Sequence, residues 1–116
     1  MSIEELRSLA LSLPGVTEDL KWGHDLCFLI GEKMFLVLGP DQVPVTASFK
    51  TTEELFAELI ADDRFIPAPY LARNKWVLVK DIATLPKKEW QEHVRRSYDL
   101  VLAKLPKKLQ MEIRNI

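Results

Sequence analysis

The stretch Asp25-Leu26-Cys27-Phe28-Leu29-Ile30-Gly31-Glu32-Lys33-Met34-Phe35-Leu36-Val37-Leu38 decides the fold. Its two apolar runs suit a pleated surface and are separated by Gly31-Glu32. Glycine at the first position of such a short loop is the type II′ pattern, so the spacing predicts a β-hairpin of Asp25–Ile30 and Lys33–Leu38. That register pairs Ile30 with Lys33, Phe28 with Phe35 and Leu26 with Val37 on one face. Cys27, Leu29, Met34, Leu36 and Leu38 fall on the other. Both faces are apolar, which is unusual for an antiparallel sheet with one wet side. The expectation is a hairpin in mid-sheet whose second face is covered by a loop or a terminal helix; the rival reading is a self-association surface.

Upstream of the hairpin, Ser2 and Glu5 form a capping box, and Ile3, Leu6, Leu9, Ala10 and Leu13 follow at helical spacing. Leu13-Pro14-Gly15 ends that helix, predicted over 3–13. Downstream, Gly39-Pro40-Asp41-Gln42 is a turn. Val43–Phe49 then alternates as a half-buried strand, with Pro44 placing its start on an edge. Thr51 with Glu54 predicts a second capping box, opening a helix whose inner stripe is Leu55, Phe56, Leu59 and Ile60. Phe65–Arg73, with Pro67 and Pro69, reads as irregular or edge structure leading into a short strand over 75–80. In that strand Trp76 and Leu78 share a face with Lys80. Pro86 fits the first turn of a long helix with Trp90, Val94, Tyr98, Val101 and Leu102 as its stripe. Pro106 starts a final helix bearing Leu109 and Ile113. The order predicts an α+β fold in two layers, a single antiparallel sheet with helices packed on one face, in one domain over 1–116.

The chain of 116 residues carries 16 Lys plus Arg and 17 Asp plus Glu, a net charge of −1. That excludes a uniformly basic nucleic-acid binder. The charge is nevertheless lopsided: residues 1–62 hold 11 acidic and 4 basic groups, and residues 63–116 hold 6 acidic and 12 basic. The single cysteine, Cys27, excludes an intramolecular disulfide framework and four-cysteine zinc modules. The N-terminus lacks the pattern of a signal peptide, and no apolar run approaches the roughly 20 residues of a membrane helix. A soluble cytoplasmic protein that contacts no membrane is expected.

No catalytic motif is present: neither a nucleophile elbow, nor a phosphate-binding glycine loop, nor a zinc-binding His-Glu-x-x-His. His24 and Cys27 project to opposite faces of an extended chain, so they do not form a metal pair, and no cofactor or metal is expected. Cys27 lies within an apolar run, where burial keeps a thiol unreactive. Paired carboxylates such as Glu4-Glu5 and Glu53-Glu54 sit at helix starts, where the amide dipoles account for them. The basic residues are more suggestive. Arg73, Lys75 and Lys80 bracket a strand with Tyr70 and Trp76 interleaved, and Arg95-Arg96 lies on the long helix. Such a set either decorates a solvated face or contacts phosphates, with the aromatics stacking on unpaired bases.

The segments Leu13-Pro14-Gly15-Val16-Thr17-Glu18, Trp22-Gly23-x-Asp25-x-x-Phe28, Gly31-x-Lys33-Met34-Phe35, Ala68-Pro69-Tyr70-Leu71, Lys75-Trp76-Val77 and Ser97-Tyr98, with the Lys104–Lys108 segment, together resemble the MmcQ/YjbR family over almost the whole chain. The resemblance implies a CyaY-like or secretion-chaperone-like α+β fold and a double-wing, DNA-binding role. It implies no catalytic residues. Leu29 stands where many members carry an arginine. The leading expectation is therefore a small non-enzymatic DNA-binding protein, with Lys50, Arg73, Lys75, Lys80, Arg95 and Arg96 on phosphates and Tyr70 and Trp76 as stacking groups. The alternative is a protein-interaction or chaperone-like module, or a homodimer, resting on the two-faced hairpin. An enzyme with a cleft of Trp22, His24, Asp25 and Tyr70 is the third reading.

Overall fold

The computed structural model describes residues 1–116. Its first helix, α1, spans Ile3–Leu11 and begins with the expected capping box: the Ser2 hydroxyl accepts from the Glu5 amide and the Glu5 carboxylate accepts from the Ser2 amide. It stops at Leu11 rather than Leu13, because the Ser12 hydroxyl turns back onto the Leu9 carbonyl and Pro14 disfavours helix at Leu13.

Six antiparallel strands follow in one sheet: β1 (Thr17–Lys21), β2 (Asp25–Ile30), β3 (Lys33–Gly39), β4 (Thr46–Lys50), β5 (Phe65–Pro67) and β6 (Trp76–Val79). Their spatial order is β1-β2-β3-β4-β6-β5. The remaining helices are α2 (Glu53–Ile60), α3 (Lys87–Leu102) and α4 (Lys107–Arg114). The α+β reading thus holds, with the hairpin in mid-sheet.

Four local expectations are corrected. β1 is a strand that no alternation announced; its residues are mostly exposed, and pairing with β2 holds it in place. Gly31 and Glu32 both have positive φ, +55° and +66°, which is a type I′ turn rather than II′. A Cβ on Gly31 would also lie 2.7 Å from a Leu105 methyl, so the connection from α3 to α4 leaves little room for a side chain there. Thr46, not Val43, begins β4, because β3 ends at Gly39 and leaves the residues around Pro44 without a partner strand. Finally, Thr52 rather than Thr51 caps α2, accepting from the Leu55 amide, while the buried Thr51 hydroxyl donates to the Lys75 carbonyl.

A fifth difference matters most. The hairpin register starts as expected, with Ile30 opposite Lys33 and Leu29 opposite Met34, but Phe28 then pairs with Leu36 rather than Phe35. Phe35 is the extra residue of a β-bulge. Its ring meets Tyr98 edge-on at 5.5 Å, and its carbonyl accepts from the Ser97 hydroxyl at 2.5 Å. Ser97 in turn accepts from the Lys50 amide at 3.0 Å. One buried serine on α3 thereby satisfies backbone groups from two adjacent strands. Past the bulge, Leu36 and Leu38 turn toward the helices and Val37 turns away, the reverse of the unbulged assignment.

All four helices serve one face. Phe28, Ile30, Phe35, Leu36, Leu38, Phe49, Val77 and Val79 pack there against Leu6, Ala10, Leu59, Trp90, Val94, Tyr98 and Ile113 in a single core. Phe49 and His93 stack at 4.7 Å, and Phe65 and Trp90 meet Phe49 edge-on. The Trp90 indole donates to the Ile82 carbonyl, and the Tyr98 hydroxyl donates to the Pro14 carbonyl at 2.6 Å. The Leu13-Pro14-Gly15 and Ser97-Tyr98 segments are thus mutual anchors of the helix layer.

Candidate functional site

The other face of the sheet has no helix on it. Met34 and Val37 of β3, Thr46 and Ser48 of β4 and Leu78 of β6 form the floor of a cavity of about 780 Å³. One wall is the β1–β2 turn with Trp22, His24 and Asp25; another is the segment Ala68-Pro69-Tyr70-Leu71. Gln42 closes one end. That volume lies within the roughly 300–1,000 Å³ typical of ligand sites. The expected cover of the second face therefore takes the form of two loops flanking an open groove.

The walls are built from tight turns, and each carries an aromatic residue in an unfavourable position. The His24 amide donates to the Lys21 carbonyl at 3.2 Å, so Trp22 and Gly23, with φ of +55° and +76°, are the central pair of a tight turn within the three-residue hairpin loop 22–24. Such a turn favours Asn-Gly, yet Trp occupies the first position. Across the groove the Leu71 amide donates to the Ala68 carbonyl at 3.1 Å, which closes a turn with Pro69 at its second position. Tyr70, at the third, has φ +66°, the type II position that favours glycine. Both aromatic side chains are exposed, Trp22 by 65% and Tyr70 fully. By contrast Trp76 and Trp90, the other two tryptophans, are buried.

Polar groups in the groove are few and mostly unpaired within the protein. His24 Nδ1 lies 3.0 Å from Asp25 Oδ1, leaving Oδ2 of that carboxylate free. The hydroxyls of Thr46 and Ser48 face the same space from β4. Cys27 points to this side of the sheet but is wholly buried opposite Val37, and burial pushes its thiol up to about 11. No group of three His, Cys, Asp or Glu side chains converges anywhere in the chain.

The eight residues singled out from the sequence divide into separate groups. Lys50, Arg73 and Lys75 lie at the end of the sheet marked by the Lys50–Trp76 pair, beside the Tyr70 loop. Lys50 Nζ donates to the Asn74 carbonyl at 2.7 Å. Burial and the neighbouring Lys104 charge hold its ammonium below the usual lysine range, which brings Lys104 into the same cluster. The Lys75 ammonium sits 5.2 Å from the Phe56 ring centre, toward α2. Trp76 is 5% exposed under the Tyr70 loop and presents no face for stacking. Lys80 follows the opposite end of β6. Arg95 and Arg96 lie across the helix layer on α3, where Arg95 pairs with Asp99 at 3.2 Å and Arg96 hydrogen-bonds to His93. No single basic track therefore unites the set.

The cleft of Trp22, His24, Asp25 and Tyr70 is assembled by the fold. Its floor escaped the sequence reading, because the bulge at Phe35 is what turns Val37 toward it. Of the segments that carry the family resemblance, those around Trp22, Met34 and Tyr70 meet at this groove.

The YjbR family model matches residues 11–100 of the chain. A solved structure of a Deinococcus radiodurans protein with the DUF419 domain is similar over 97% of this chain and 87% of its own, at 28% identity and a TM-score of 0.87. A Pseudomonas syringae protein shares the fold over 86% of this chain and 98% of its own, at 18% identity and a TM-score of 0.72. No curated protein matches the chain.

Proposed function

The chain belongs to the YjbR family, and from that premise we propose that it is a non-enzymatic binding module whose partner, an unpaired nucleic-acid strand, lies in the groove on the helix-free face of the sheet. The observation that carries this reading is the pair of exposed aromatic side chains, Trp22 and Tyr70, on the two walls of one cavity. Bases have apolar faces that stack on such rings regardless of sequence. Lys50 and Arg73 beside the Tyr70 loop, with the Lys104 charge close enough to act on Lys50, supply positive charge where the strand's backbone would leave the groove. A duplex is the poorer fit, since the cations are spread over both layers and duplex binding depends on a continuous line of phosphate contacts.

Fluorescence anisotropy with single-stranded and duplex DNA across a salt series tests this. Three phosphate contacts on a single strand predict a log–log salt slope of about −2. Single strands should bind more tightly than duplexes of the same length. Failure of either form to bind at low salt contradicts the reading.

A protein partner is the second reading, favoured by the exposed Leu20 and Val43, apolar side chains outside the groove that a base would not cover. Light scattering at rising concentration reads self-association directly, and a monomer at all concentrations removes the homodimer form of it.

A further inference from the structure

We infer that Trp22 and Tyr70 are a clamp for a single unpaired base bearing an exocyclic amine, adenine, cytosine or guanine in preference to thymine, with the Asp25 carboxylate accepting from that amine. The inference rests on the proposed nucleic-acid reading and names which bases the groove selects.

Two independent observations support the clamp. Each aromatic ring stands at a turn position whose backbone favours glycine or asparagine, φ +55° at Trp22 and φ +66° at Tyr70. Neither residue makes a side-chain hydrogen bond, and neither belongs to the core. Tyr70 is fully exposed and Trp22 is 65% exposed, so the fold gains little from these side chains, and the turn positions favour smaller ones. Residues held in a disfavoured conformation without a packing reason cluster at sites of function. That this occurs on both walls of the same cavity points to one ligand with two apolar surfaces, which is what a planar base provides.

The preference follows from the polar groups. An ionised carboxylate only accepts hydrogen bonds, and Asp25 Oδ2 is uncommitted. The exocyclic amine of adenine, cytosine or guanine satisfies it, whereas thymine has none and flanks its one ring N–H with two carbonyls that the carboxylate repels. The Thr46 and Ser48 hydroxyls both donate and accept, so they tolerate either partner and leave the choice to Asp25. The cations that would hold the flanking phosphates, Lys50, Arg73 and Lys104, lie outside the groove and do not contribute to selection.

The test uses labelled oligo(dA), oligo(dC) and oligo(dT) with the full chain, alongside Trp22→Asn, Tyr70→Gly and Asp25→Asn. Oligo(dA) and oligo(dC) should bind about tenfold or more tightly than oligo(dT), the range a good base contact provides. Trp22→Asn and Tyr70→Gly should each weaken binding by about tenfold or more, as the loss of one stacked ring does, while their melting temperatures hold or rise. Asp25→Asn places a donor at the selecting position and should erase the discrimination against oligo(dT). Equal binding of all three strands, unaffected by these substitutions, overturns the clamp and leaves strand binding intact. Absence of binding by the unaltered chain overturns both.

Discussion

On the helix side of the sheet, Phe28, Leu36, Phe49 and Val77 are wholly buried beneath the helix layer, while their strand neighbours Val37, Ser48 and Leu78 on the other side meet only two loops and a cavity. The helix side is a closed core in which the polar groups are paired: Ser97, Tyr98 and Trp90 each donate to a backbone carbonyl. The loop side leaves hydroxyls, a carboxylate oxygen and two aromatic rings without partners. The difference teaches where stability and binding reside. Groups already satisfied within the chain hold the fold, and those left open are available to a ligand.

Substitutions at adjacent residues measure that difference most directly. Leu36→Ala, on the helix side, should cost about 2–5 kcal/mol, as large-to-small changes in closed cores do. Val37→Ala, one residue on but facing the groove, should cost about 1 kcal/mol or less. Urea denaturation of both variants gives the two values, and equal costs would mean that the groove side is packed after all.

The next effect is a pH dependence confined to the helix side. Burial, with Arg96 and Arg64 nearby, lowers His93 from its ordinary 6.5 to about 4. Between those limits the unfolded chain takes up a proton that the folded chain refuses, so stability falls as the pH falls. The contribution is complete above 6.5 and fully lost below about 4. Its size is on the order of 3 kcal/mol. His93 is ringed by Phe49, Phe65, Arg96 and Arg64, none of which offers a carboxylate to stabilise the charged ring. Chemical denaturation at a series of pH values should show this slope in the native chain and a flatter one in His93→Gln.

Ser97→Ala should cost about 1–3 kcal/mol, because it strands the Phe35 carbonyl and the Lys50 amide in a closed region. The denaturation midpoint gives this value. The smallest effect has the opposite sign. Tyr70→Asn relieves a left-handed tyrosine and should stabilise the chain by up to about 1 kcal/mol, seen as a modest rise in melting temperature. A loss of stability would show that the ring is part of the fold.

The same division explains what the sequence revealed. Local signals read correctly where one short segment determines the outcome: the Ser2–Glu5 capping box, the helix starts after Pro86 and Pro106, the buried stripe from Trp90 to Leu102 and the hairpin itself. The misses arise where distant residues decide. β1 is polar and exposed, and its extended form depends on β2 beside it and on Arg7 of α1 pairing with Glu18. The bulge at Phe35 depends on a serine far along the chain. Since that bulge sends Val37 to the groove, the floor of the candidate site was hidden while its rim of Trp22, His24, Asp25 and Tyr70 was visible. The turns were the readable but unread signal, for a tryptophan before Gly23 and a tyrosine after Pro69 occupy places where turns favour Asn or Gly.

Trp22 is the exposed tryptophan of the three and stands on the groove wall, so its emission reports directly on whether a ligand occupies the loop side of the sheet. Titration with single-stranded oligo(dC) should quench that emission at the concentrations where anisotropy shows binding, and the quenching should vanish in Trp22→Phe. Binding that leaves tryptophan emission unchanged would place the strand elsewhere on the molecule and contradict the account.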